Sequence, residues 1–164
     1  MARLETGAMA PDFTLTGVDG KTYSLKDALA QGPILVVFFK VSCPVCQFAF
    51  PFLERLYHQA KEHGSNVWGV SQDGKEESAR FAARFGVSFP VLMDEKPYLL
   101  SRQYGLKFVP SLFLVAQNGS ILASGDGFSK SDLIEIQGQF AAHFSFAPQP
   151  LFRPDEEVPQ YRPG

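Results

Sequence analysis

The chain is predicted to form an α/β fold: a central mixed β-sheet flanked by helices on both faces, with an N-terminal β-hairpin. Three observations carry this. Ile34-Leu35-Val36-Val37-Phe38-Phe39 is an unbroken apolar run, the pattern of a strand buried on both faces. Strand-like runs then alternate with helix-period segments, which implies crossovers and parallel central strands. Asp19-Gly20 and Asn118-Gly119 are hairpin turn signals, and hairpins add antiparallel strands.

Taken in order, Phe13-Thr14-Leu15 and Thr22-Tyr23-Ser24 flank the Asp19-Gly20 turn as the first hairpin. Ser24 is placed to cap a short helix through Leu29, ended by Gln31-Gly32-Pro33. The central strand runs from Pro33 to Phe39. The next helix runs from Cys43 to about His63 and stops at Gly64. Pro44 is tolerated in its first turn, where no intrahelical N–H bond is lost. Pro51 lies inside it, where it removes a bond and predicts a kink. Phe48, Phe52, Leu53 and Leu56 form its apolar stripe.

Asn66 to Ser71 reads as a strand, with Trp68 in the core, and Lys75 to Phe85 as a helix. Pro90 to Met93 is strand-like and Pro97 to Tyr104 helical. Ser111 to Val115 and Ser120 to Ser124 form a hairpin around Asn118-Gly119. Ser129 or Ser131 caps a last helix that reaches about Phe144. From Ser145 the composition changes, with five prolines in the final twenty residues and no helical or strand period. The division is therefore a domain over residues 1–144 and a Pro-rich extension over 145–164. That extension is either wrapped on the domain through Leu151, Phe152 and Tyr161 or disordered.

The length of 164 residues suits one domain, and 45% hydrophobic residues with 16 Phe suffice for a large core. Net charge is −2 with acids and bases interspersed, so no basic face points to nucleic acid or an anionic membrane. No apolar run is long enough to span a bilayer, and Met1 to Glu5 lacks an apolar secretory core. A cytoplasmic location is the expectation. Two cysteines are too few for a disulfide scaffold; in a reducing compartment such a pair is more often catalytic or metal-binding.

Those two cysteines form Cys43-Pro44-Val45-Cys46, at the turn from the apolar strand into the helix. The helix N-terminus offers unpaired N–H groups and the positive end of the dipole to the first sulfur. Both favour thiolate, the nucleophilic form. Cysteines three apart share a helix face, within the reach of a disulfide. The pair can open and close.

The chain resembles the thioredoxin-like superfamily, closest to the redoxin branch of TlpA- and ResA-type thiol–disulfide oxidoreductases, which is related to AhpC/TSA proteins. The matching segments are Ala10-Pro11-Asp12-Phe13, the strand–Cys43-Pro44-Val45-Cys46–helix unit, Phe89-Pro90-Val91, and Val109-Pro110-Ser111-Leu112-Phe113. They span roughly residues 8 to 144. The resemblance implies a thioredoxin-like fold and a role in cell redox homeostasis. It implies that Cys43 attacks a substrate disulfide and that Cys46 resolves the mixed disulfide. It also implies that Pro110 is the cis-proline beside the active site and that Val109 offers backbone hydrogen bonds to substrate. The implied partners are a protein or small-molecule disulfide and a thiol electron donor, with no cofactor. Lys40 is a candidate for stabilising a thiolate, although an exposed strand-end lysine is the simpler reading.

Some positions depart from the resembled patterns. Ser42 stands where many relatives carry Trp. Val37 and Ala49 stand where thioredoxins and ResA-like proteins carry a carboxylate, so no carboxylate is evident for the Cys46 proton. An antioxidant, peroxiredoxin-like thiol peroxidase is the main alternative. Its signature aligns the peroxidatic cysteine with Cys46, but puts Phe39 and Cys43 at the proline and threonine positions and Pro110 at the arginine. A non-enzymatic redox-sensing or binding domain is the third reading. A zinc site built from Cys43, Cys46, His58 and His63 is rejected. One helix would separate Cys46 from His58 by about 18 Å, whereas ligands must converge on one ion. The three histidines read as surface residues.

Overall fold

The computed structural model describes residues 2–63 and 66–164. The helix stop expected at Gly64 lies outside the described residues. A small hairpin, β1 (Thr14–Thr16) with β2 (Thr22–Ser24), opens the fold. It is followed by α1 (Leu25–Leu29), β3 (Ile34–Phe39), α2 (Pro44–Ala60) and a 3-10 turn at Lys61–His63. Then come β4 (Asn66–Ser71), α3 (Lys75–Arg84), β5 (Val91–Met93) and α4 (Leu99–Gln103). The chain closes with β6 (Ser111–Val115), β7 (Ile121–Asp126), β8 (Phe128–Ser129), α5 (Lys130–Phe144) and β9 (Tyr161–Arg162).

The main sheet has the order β5-β4-β3-β6-β7, parallel between β3, β4 and β5 and antiparallel between β3, β6 and β7. Its central strand is buried at every residue. Alternate side chains serve opposite faces, as the two-residue period requires. Leu35, Val37 and Phe39 enter one core with α2, α3 and α5. Ile34, Val36 and Phe38 enter the other with α1, α4 and Phe13. The predicted α/β fold with helices on both faces is the one found.

Local chemistry sets the boundaries. Ser24 caps α1, its Oγ accepting the Asp27 N–H at 3.3 Å, and Ser129 rather than Ser131 caps α5, accepting from Asp132 at 3.2 Å. α2 remains one helix through Pro51, which is exposed. The helix predicted over Pro97–Tyr104 begins only at Leu99, because Tyr98 is left-handed with φ +60°. The buried carboxylate of Asp94 then receives the N–H groups of Leu100 and Ser101. Trp68 is buried on the face away from α2, edge-on to Phe13 and Tyr23. Its indole N–H has no acceptor among the described residues.

The tail is wrapped. Leu151 is buried in the α2–α5 core, and Phe152 packs against Phe52 and Phe128. Arg55 on α2 forms a two-point ion pair with Glu156, both contacts at 2.7 Å. Gln59 and Gln137 bind the backbone of Gln149. The chain then returns as β9 and pairs antiparallel with β8. Tyr161 contributes through its backbone, since its ring is half exposed. Phe48 is only partly buried, and the guanidinium of Arg162 lies 4.7 Å over its ring.

Candidate functional site

The site forms where β3 ends and α2 begins, at the carboxyl edge of the parallel strands. Cys43 is the N-cap of α2 and Pro44 its first residue, so the sulfur rather than an oxygen closes the helix start. Cys43 Sγ accepts the Cys46 N–H at 3.1 Å, and its thiol points to the Val109 carbonyl at 3.5 Å. Cys43 is partly exposed, whereas Cys46 is fully buried, and both are free thiols.

Burial pushes the Cys46 thiol well up from its ordinary range, and a hydrogen bond with Cys43 adds to this. The Lys40 backbone opposes the shift in part. The ammonium of Lys40 is exposed, so the strand-end reading of that side chain fits better than a thiolate partner. Val37 and Ala49 are both buried with Cys46 in the same apolar core.

The second wall is the loop before β6. The Val109–Pro110 peptide is cis, as the resemblance implied. The Gly127 N–H holds the Pro110 carbonyl at 2.8 Å, and Ser111 Oγ holds the Phe108 carbonyl at 2.7 Å. These bonds fix the face that Val109 turns to Cys43. Val109 also borders a small cavity lined by Lys40, Gln72, Leu106, Lys107 and Phe108. Cys43, Cys46, Val109 and Pro110 are therefore brought together, with the Lys40 side chain at the margin.

Two residues of the site were not found from the sequence. Asp73 accepts the Val41 N–H at 2.8 Å, and Gln47 Nε2 donates to the Val41 carbonyl at 2.9 Å. Val41, two residues before Cys43, is thus held at both its backbone polar groups. Asp73 is itself fixed by Ser71, whose Oγ accepts the Asp73 N–H at 3.0 Å and binds Ser78 at 2.7 Å. The signal for Asp73 was available: Asp73-Gly74 lies in the loop just beyond a parallel strand ending at Ser71, where such sheets place functional loops. Gln47 had no comparable signal.

His58 pairs with Glu54 on its own helix at 2.7 Å. Glu54 also receives the Ser88 N–H at 2.8 Å and the Ser88 hydroxyl, which ties α2 to the loop before Phe89. His58, His63 and His143 are all exposed.

The fold and the paired thiols define a thioredoxin-like thiol–disulfide oxidoreductase. The chain belongs to the AhpC/TSA family, whose model matches residues 6–124. It is 30% identical over 116 residues to the thiol-disulfide oxidoreductase ResA of Geobacillus thermodenitrificans, covering 70% of this chain and 66% of that protein. It is 28% identical over 130 residues to the ResA of Halalkalibacterium halodurans, covering 79% of this chain and 73% of that one. Among solved structures it is similar to the thioredoxin domain of a thiol-disulfide oxidoreductase from Bacteroides vulgatus. The TM-score there is 0.74 at 26% identity, over 84% of this chain and 98% of that domain.

Proposed function

We infer that Cys43 is the attacking thiol and Cys46 the resolving thiol of a disulfide-exchange cycle. One observation carries the assignment: the partly exposed sulfur caps the helix and faces Val109, while the second sulfur is sealed beneath it. Cys43 thiolate attacks one sulfur of the substrate disulfide, that bond breaks, and the departing thiolate takes up a proton. Cys46, on losing its proton, attacks Cys43 and releases the second thiol. The protein is left with a Cys43–Cys46 disulfide, which an external thiol donor reduces. Val109 and Pro110 form the wall against which the substrate disulfide lies, and none of these steps uses a cofactor.

A peroxidase reading places the peroxidatic sulfur at Cys46. Full burial and a thiol held in its protonated form both oppose attack on peroxide there. A cytoplasmic location is kept as part of the proposal; cell fractionation tests it.

The direct test mixes the reduced protein with an excess of an aromatic disulfide that releases a coloured thiolate. The full chain should release two thiolates per molecule, and Cys46→Ser one, with the aromatic group retained on Cys43. Cys43→Ser should react about 100-fold more slowly, the scale expected when the activated nucleophile is removed. Equal rates for Cys43→Ser and the parent chain would reverse the roles.

A further inference from the structure

The residues after Val158 lie across the wall that carries Val109. β9 takes the edge of β8, so the Phe128–Ser129 edge is already paired. Lys130 N–H extends the ladder to the Gln160 carbonyl at 3.0 Å. Gly164 sits against the Val109 carbonyl and the Phe108 side chain so closely that a Cβ there would strike the Val109 oxygen. Gly127, at φ +69°, likewise leaves room for the Arg162 carbonyl. Arg162 covers the ring of Phe48, two residues beyond Cys46. An extended polypeptide docks by adding a strand to an open edge and by lying against backbone beside the reacting group. Here this chain's own backbone fills that position.

Two parts of the tail are held differently. Residues 151–156 are fastened by buried Leu151 and by the Arg55–Glu156 pair. Residues 161–164 are exposed and held by a two-residue ladder and one cation–π contact. Such a segment belongs to the part of a structure that opens most cheaply. Beside Val109 the cavity lined by Lys40, Gln72, Leu106, Lys107 and Phe108 stays open.

We propose that residues 161–164 occupy the polypeptide-docking edge of the site and so restrict it to low-molecular-weight disulfides. The inference rests on Cys43 being the exchanging thiol. A small disulfide reaches Cys43 through the part of that residue that stays exposed with the segment in place. A polypeptide disulfide reaches it only when residues 161–164 lift away, and its apparent rate is reduced by the fraction of time they do so.

The test compares the full chain with a chain ending at Val158, which keeps the Leu151 and Glu156 anchors. Rates are measured with insulin and with hydroxyethyl disulfide, and circular dichroism checks the fold. Shortening should raise the insulin rate about tenfold and change the hydroxyethyl disulfide rate by less than about twofold. Gly164→Val, whose side chain would collide with the Val109 carbonyl, should do the same at full length and decides the matter if the shortened chain misfolds. Alkylation of Cys43 gives a readout that needs no turnover. Displacing the segment should speed labelling by a maleimide carried on polyethylene glycol, with iodoacetamide labelling unchanged. An insulin rate and a polymer-labelling rate that both stay at the parent values overturn the proposal. Absent exchange with every disulfide, alongside the expected labelling change, would instead overturn the oxidoreductase cycle and leave the covering role standing.

Discussion

The Asp73 carboxylate accepts the Val41 N–H at 2.8 Å, a bond between residues 32 apart in sequence that ties the loop after β4 to the peptide feeding Cys43. Asp73 does not touch the sulfur, so it is a positioning residue. Asp73→Ala leaves the Val41 N–H without this acceptor, at a cost of about 1–3 kcal/mol. The rate of Cys43 exchange should fall about tenfold, while Asp73→Asn, whose amide oxygen still accepts, should recover most of it. A purely structural loss would lower the melting temperature in both variants without this recovery of rate.

The resolving step should depend on pH through Cys46. Burial favours its neutral thiol, so the attacking thiolate is scarce at neutral pH and becomes more abundant as pH rises. Stopped-flow release of the second thiolate from the mixed disulfide should accelerate about tenfold per pH unit from pH 7 upward, as for any nucleophile far below its pKa. A plateau beginning near pH 7 would contradict the burial effect.

Glu156 supplies an acid-sensitive fastening. The Arg55 guanidinium, followed by the Arg153 N–H, holds its carboxyl down to about 2. A depressed carboxyl stabilises the fold above its unfolded value and loses that contribution as pH falls through the folded one. The window here lies between about pH 4.5 and about pH 2. Glu156→Gln should therefore melt at a lower temperature than the parent chain at pH 6, and the difference should shrink below about pH 4.5 and vanish only once the pH is below about 2.

Leu151 tests whether the tail is part of the core. It is 2% exposed and packs with α2 and α5. Leu151→Ala should destabilise the protein by about 2–5 kcal/mol, read as a lower denaturation midpoint in urea. A change of only a few tenths would mean that the tail contributes little to the fold.

The residues that encode the fold read plainly where one chemical rule dominates. β3 shows its burial on both faces because all six residues are apolar, and Asn118-Gly119 marks its hairpin because Gly119 must take φ +88°. The thiols were legible for the same reason: two cysteines three apart at a strand–helix junction admit few readings. α4 lies within the predicted Pro97–Tyr104 but starts two residues later, because Tyr98 adopts a left-handed conformation that its side chain does not advertise, and because the Asp94 cap depends on tertiary approach. Phe48 packs against the core as its helical spacing predicts, but stays partly exposed, and the Arg162 guanidinium over its ring comes from more than a hundred residues away, beyond the reach of local pattern. β9 was invisible for the same reason; a two-residue strand is defined by its partner, not by its own pattern.

Trp68 stands on one side of the main sheet and Cys46 on the other. The sole indole of the protein is therefore an optical gauge of the core on the α1 and α4 side of the sheet, where Phe13 and Tyr23 press on it. Its ultraviolet emission should stay constant when the dithiol closes and change when the β1–β2 ribbon undocks. Calorimetry and emission would then disagree wherever that ribbon melts first.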